Sequence, residues 1–167
     1  MSDNSFDHSG SLDEPILTPT EIEKYREYLS DYGKEIFFAE EEIIVDYGDI
    51  TTNIDLLVSG EALVEVPVNE KWIPVAWIKS GSVIGEIAFL DSYPRTARVI
   101  ARTSCRLFRV DRADFTELSE KYPDKALEFI SRISQIMAYR LRRIEQFDAL
   151  EQGRDDMRKE LAADLHD

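Results

Sequence analysis

The residues best equipped for chemistry lie between positions 81 and 99. Gly81-Ser82-Val83-Ile84-Gly85-Glu86-Ile87-Ala88-Phe89-Leu90 is followed, after a short loop, by Pro94-Arg95-Thr96-Ala97. A short helix starting behind Gly85 leaves its first N–H groups without intrahelical acceptors, and such groups can hold an anion. Arg95 enters the same space and can grip a phosphate through two parallel N–H donors. Glu86 would be out of place in a pure anion site. Its carboxylate makes sense beside a ligand that also offers a hydroxyl donor, such as a ribose. Glycine and alanine along the segment let a ligand approach the backbone closely. Phosphate together with a sugar hydroxyl implies a nucleotide rather than inorganic phosphate.

The flanking sequence supplies the elements that must position these groups. Thr18-Pro19-Thr20-Glu21 reads as a helix start with a capping box; Ile22, Tyr25, Leu29 and Tyr32 recur at helical spacing, and Gly33 is placed to end the helix. From about Glu35 to Val110 the texture changes to short strands between turn signals. They fall near Ile36–Phe38, Glu42–Val45, Ile54–Val58, Ala62–Val66, Trp72–Ile78, Ser82–Ile84, Thr96–Ala101 and Arg106–Val110. Eight strands at this spacing predict a sandwich or jelly roll, not a parallel sheet.

Helices return after the strands. Asp111 is placed to cap a helix bearing Phe115, Leu118 and Tyr122, with Asp114 at the capping-box position. Pro123 opens a longer helix whose apolar stripe includes Ala126, Phe129, Ile130, Ile133, Ile136, Met137, Leu141, Ile144 and Phe147. From Asp124 to Gln152 it would be about 40 Å long, more than one face of a small barrel can cover. Gly153 weakens the pattern, and fraying is expected beyond it. The expected organisation is an acidic disordered tail over 1–17 and a helix, barrel and closing helix over 18–122. A long helix over 123–153 and a charged tail over 154–167 complete it.

Composition narrows the function. The net charge is −14, and residues 1–49 hold fourteen acids against Lys24, Arg26 and Lys34. Such a surface repels phosphate backbones, so nucleic-acid binding is not expected. No apolar run suits a membrane span or a secretory leader. Cys105 is the lone cysteine, which excludes an internal disulfide framework, and a cytoplasmic protein is expected. The two histidines, His8 and His166, sit at the ends, so no metal or histidine-based catalytic centre is expected in the middle. That also removes a cupin-like enzyme, which needs a histidine-rich metal set on a similar barrel.

The segment closely resembles the phosphate-binding cassette of cyclic nucleotide-binding domains, the sensor type of the catabolite activator protein and protein kinase A regulatory subunits. The family pattern, Gly-Glu-Leu/Ile-Ala-Leu-Leu and then Pro-Arg-Thr/Ala/Ser-Ala, is matched by Gly85-Glu86-Ile87-Ala88-Phe89-Leu90 and Pro94-Arg95-Thr96-Ala97. The resemblance extends to Gly48-Asp49, Leu57-Val58-Ser59-Gly60 and Cys105-Arg106-Leu107-Phe108, over roughly residues 20–150. It implies an eight-stranded β jelly roll, or double-stranded β-helix, with an N-terminal helix and a long C-terminal helix.

It also implies roles. Gly85, Glu86, Ile87 and Ala88 would present backbone N–H groups to a cyclic phosphate, with Glu86 accepting from the ribose 2′-hydroxyl. Arg95 would pair with the equatorial phosphate oxygens, and Thr96 and Ala97 would add contacts. The base would rest on strand residues such as Val83 and Ile84, under a helical lid represented by Tyr139 and Leu141. Helix packing is the competing role for those two lid residues. Glu41, Asp55 and Ile84 depart from the family pattern, where glycine, an aromatic and phenylalanine are usual. Thr96 occurs in both cGMP- and cAMP-responsive members, so it does not decide the base.

The expected function is therefore a cAMP or cGMP sensor, not an enzyme, with no cofactor beyond that ligand. The catabolite-activator group adds a DNA-binding domain after the long helix; the residues after Gly153 are too few and too acidic for one. Occupancy would be transmitted through the long helix, which is expected to pair in a homodimer and to meet an unidentified protein effector. Arg140, Arg142 and Arg143 read as a solvated face or as partners for the acidic N-terminal region. The alternative is a degenerate domain that serves only as a protein-interaction module, against which the presence of Glu86 and Arg95 argues.

Overall fold

The computed structural model describes residues 16–165, with the side chains of residues 144–148 outside that description. The chain runs α1 (Pro19–Tyr28), β1 (Gly33–Phe38), β2 (Ile43–Val45), β3 (Ile54–Ser59), β4 (Ala62–Val68), β5 (Lys71–Ile78) and β6 (Val83–Ile84). It continues with α2 (Glu86–Asp91), β7 (Arg98–Ala101), β8 (Cys105–Val110), α3 (Arg112–Lys121) and α4 (Pro123–Asp164). The strands form two four-stranded antiparallel sheets, ordered β1-β8-β3-β6 and β2-β7-β4-β5. This is the jelly roll expected from the strand spacing, between an N-terminal helix and a long C-terminal one.

Strands β3, β6 and β8 of the first sheet are buried on both faces. Leu57, Ile84, Cys105 and Leu107 point between the sheets and pack with Ile44, Val45, Ala62, Ile78, Val99 and Ala101 of the second sheet. The alternate residues Ile54, Leu56, Val83, Phe108 and Val110 meet the helices, where Tyr25, Leu118, Phe129 and Ile133 cover them. Double burial explains the nearly unbroken apolar run of β3, since each pleat face has its own hydrophobic partner. Strand β5 is an edge of the second sheet, and Trp72, Ile73 and Val75 are exposed along it.

Helix α1 starts on the anticipated capping box. Thr18 Oγ1 accepts from the Glu21 N–H at 3.1 Å, and the Thr18 N–H donates to Glu21 at 3.2 Å. Glu21 also takes a 2.7 Å hydrogen bond from Arg132, tying α1 to α4. Burial raises the Glu21 carboxyl pKa, but the hydrogen bonds from Arg132 and Thr18 together leave it below its ordinary value. Asp111 stands at the N-cap of α3, although its side chain makes no capping bond. Gly33 does not end α1: that helix closes at Leu29, and Gly33 opens β1 against the Phe108 ring, which leaves no room for a Cβ.

Two boundaries differ from the sequence reading. Residues 1–15 of the expected tail lie outside the described residues, but Leu17 is part of the core. It is 1% exposed, and its N–H bonds the Gly81 carbonyl at 2.8 Å. A leucine just before a helix cap can pack back under that helix, which local polarity does not reveal. Helix α4 does not stop near Gly153; it runs 42 residues to Asp164, about 63 Å at a rise of about 1.5 Å per residue. Gly153 lies in open space, so its cost is only that of a weak helix former. Ala126, Phe129, Ile133 and Ile136 are buried against the barrel, whereas Leu141, Leu150, Met157 and Leu161 are exposed. Among the described residues, no helix is both long and apolar enough to cross a membrane.

Candidate functional site

The expected cassette folds as a strand, a break and one short helix. Gly85 is the N-cap of α2 with φ +86°, a left-handed conformation that glycine adopts without strain. The Phe89 N–H bonds the Gly85 carbonyl at 3.0 Å, so the N–H groups of Glu86, Ile87 and Ala88 begin the helix without intrahelical acceptors. A Cβ at Gly85 would come within 2.3 Å of Arg95 Nη1 and 2.9 Å of the Asn53 carbonyl. Gly85 is therefore the floor on which the arginine lies.

Arg95 is held from all sides. Its N–H donates to the Asp49 carbonyl and its carbonyl accepts from the Gly48 N–H, both at 2.8 Å. The Gly48-Asp49 turn thus anchors the loop ahead of β7. The side chain is 7% exposed, and two of its donors are taken by main chain: Nη1 to Gly85 O at 3.0 Å and Nη2 to Asn53 O at 2.8 Å. Nε is buried and has no partner. Burial lowers the Arg95 pKa, with Asp55, Glu86 and Asp49 opposing the shift through their charge. A desolvated cation with an unused donor is suited to an incoming anion.

Glu86, also buried, accepts a hydrogen bond from Nη1 of Arg140 on α4, and Arg140 Nη2 lies 3.5 Å from the Val83 carbonyl. This corrects the reading of Arg140 as a solvated residue or a partner of the acidic N-terminal region. Arg143, one turn on, places its guanidinium 5.9 Å from the Tyr139 ring centroid.

These groups open onto one cavity of about 660 Å³. Gly85, Glu86, Ile87, Ala88, Arg95, Thr96 and Ala97 all line it, as do Val83, Ile84, Tyr139, Arg140 and Arg143. Thr96 is exposed at its edge. The opposite wall comes from the second sheet and is apolar: Val45, Val64, Val75, Ile78 and Val99. Leu141 is the exception among the anticipated site residues. It is 58% exposed and does not line the cavity, because α4 turns Tyr139, Arg140 and Arg143 inward and carries Leu141 around to solvent. Sequence reasoning missed the apolar wall and Arg143. The alternation along β4 and β5 marked inward positions but could not say which of them stay uncovered. Among the described residues, no cluster of His, Cys, Asp or Glu could hold a metal ion.

Comparison with known proteins fits this geometry. The family model "Cyclic nucleotide-binding domain" matches residues 35–122, just over half of the chain. A cAMP-dependent protein kinase regulatory subunit from Mucor circinelloides is 29% identical over 108 residues, 64% of this chain and 25% of the relative. The chain thus spans about a quarter of the length of that curated relative. Among solved structures, a cyclic nucleotide-binding domain from Methylobacillus flagellatus superposes with a TM-score of 0.67 at 22% identity. It covers 71% of this chain and 67% of that one. The Catabolite Activator Protein of Thermus thermophilus gives 0.64 at 22% identity, covering 81% and 61%. These two likenesses carry the fold; the family match, falling on the strands and the cassette, carries the assignment. The chain belongs to the cyclic nucleotide-binding domain family.

Proposed function

We propose that the chain is a sensor of cAMP or cGMP that reports occupancy through α4. The observation carrying this reading is Arg95: buried, fixed on two carbonyls, and left with an unpartnered Nε beside the first turn of α2. The cyclic phosphate would lie against Arg95 and the N–H groups of Glu86, Ile87 and Ala88. The ribose 2′-hydroxyl would donate to Glu86. The base would rest on Val83, Ile84 and the apolar wall, with Thr96 and Ala97 at the edge and Tyr139 above. The kinase regulatory relative, named for its cAMP dependence, supports the ligand class.

Two contacts support transmission. Glu86 is at once the proposed ribose acceptor and the partner of Arg140, so a ligand hydroxyl competes for a carboxylate that now holds α4. Phe89 of α2 packs edge-on against Phe115 of α3 at 5.3 Å, and Phe115 meets Phe129 of α4 at 5.8 Å. Movement of the cassette would repack this stack, and the ligand shifts the balance through its different contacts in the two arrangements. The exposed apolar residues of distal α4 are the proposed surface for a second copy or a protein effector.

The test is calorimetric titration of the folded protein with cAMP and with cGMP, with Arg95→Ala as control. Saturable micromolar or tighter binding is expected, and the stronger ligand names the message. Truncating a buried charged partner should weaken it by about 2–5 kcal/mol. No heat with either ligand refutes the sensor reading and leaves an interaction module, and equal affinity in Arg95→Ala removes the cassette assignment.

A further inference from the structure

The fully buried Asp55 and the partly buried Arg109 form an ion pair behind the cavity. They are cross-strand neighbours in the β3–β8 register. Asp55 is 0% exposed, and Arg109 grips both of its oxygens, Nε to Oδ1 at 2.8 Å and Nη2 to Oδ2 at 2.9 Å. Neither residue lines the cavity. Asp55 Oδ1 also accepts from Asn53 Nδ2 at 3.1 Å, and the main-chain carbonyl of Asn53 holds Arg95 Nη2 at 2.8 Å. A continuous set of hydrogen bonds therefore runs from Arg109 through Asp55 and Asn53 to Arg95.

The geometry points to Asp55 and Arg109 as positioning residues for anion capture by Arg95. They fix the Asn53 carbonyl that orients the guanidinium, and Arg109 occupies both Asp55 oxygens so that this carboxylate does not pair with Arg95 in place of a ligand. The inference rests on the cyclic-nucleotide reading above for the identity of the anion. A buried ion pair is weak support for stability, because desolvation offsets much of its attraction and apolar replacements of similar volume are often tolerated. Its role here is directional. Left unpaired, Asp55 would compete with the ligand for the Arg95 guanidinium, to which Asn53 joins it.

The experiment uses the full chain with Asp55→Leu/Arg109→Met, which removes the pair, and Arg109→Met, which strands the carboxylate. Each is titrated with cAMP and cGMP and followed by thermal unfolding. In parallel, the 1H–15N resonance of Arg95 Nε, identified by its loss in Arg95→Lys, is recorded without nucleotide. The double variant should stay folded, lose about tenfold in affinity, the scale of outer partners at bound-ion sites, and broaden the Arg95 Nε resonance. Arg109→Met should lose more. Should it fail to fold, the double variant and Asp55→Asn still decide, the latter with a smaller loss. Wild-type affinity and an unchanged Nε resonance in folded variants would overturn the positioning role. If the wild-type protein binds neither nucleotide, the sensor reading fails by itself. Broadening confined to the variants would then still uphold the positioning role, and identical resonances would overturn it.

Discussion

The cavity has two walls of opposite character. One is built by consecutive residues, Gly85 to Ala88 and Arg95 to Ala97, and carries the charge. The other is assembled from β2, β4, β5 and β7 and is apolar, with Val45, Val64, Val75, Ile78 and Val99. The polar wall is tightly constrained: Gly85 supports Arg95, and two carbonyls and a turn hold it. The valines and isoleucine of the apolar wall carry no side-chain donor or acceptor, so what they demand is volume and the exclusion of water. Orientation is thus concentrated on one side and non-directional burial on the other, the usual division of labour in small-molecule sites.

That contrast can be broken most forcibly at Gly85. A Cβ there would meet Arg95 Nη1 at 2.3 Å in a left-handed backbone, so Gly85→Ala should abolish measurable cyclic-nucleotide binding by calorimetry. It should also cost about 1–3 kcal/mol of stability in denaturant unfolding. Glu86→Gln comes next. It should weaken cAMP by about 1.5–3 kcal/mol, the worth of a charged hydrogen bond. It should also narrow the gap between cAMP and 2′-deoxy-cAMP, and a gap as wide as in the wild type would deny Glu86 its ribose role. On the other wall, Val64→Ala removes apolar contact alone and should cost about 1 kcal/mol or less, with the 2′-deoxy gap unchanged. Away from both walls, Glu21 supplies a control. Its folded pKa is depressed, so its contribution is present above the ordinary carboxylate range and is lost as pH falls through the lowered value. Glu21→Gln should therefore flatten the acid limb of a stability–pH curve by under about 1 kcal/mol without touching ligand affinity.

The same contrast explains how much was legible before the structure. The polar wall is local: residue types, order and spacing within about fifteen positions state its chemistry, and all eight strands followed from alternation and turn residues. What stayed hidden is non-local. Arg140 looked like one of three surface arginines because its partner lies 54 positions away across the barrel. Leu141 and Tyr139 read alike as lid candidates, and only the rotation of α4 on the barrel separates cavity from solvent. Asp55 interrupted an apolar strand as an oddity until Arg109 came opposite it in the register. Leu17 read as tail because a single buried side chain leaves no periodic trace.

Helix α4 finally has a mechanical consequence. Its first turns are bedded in the core, and Arg140 ties it to the cavity. The segment from Arg140 to Asp164 projects about 36 Å further at the helical rise, so a tilt of about 10° at that anchor would swing the tip about 6 Å. A displacement too small to disturb the barrel thus becomes, at the far end, the width of a side chain. On the proposed sensor reading, the helix would work as a lever with its fulcrum at the Glu86–Arg140 ion pair.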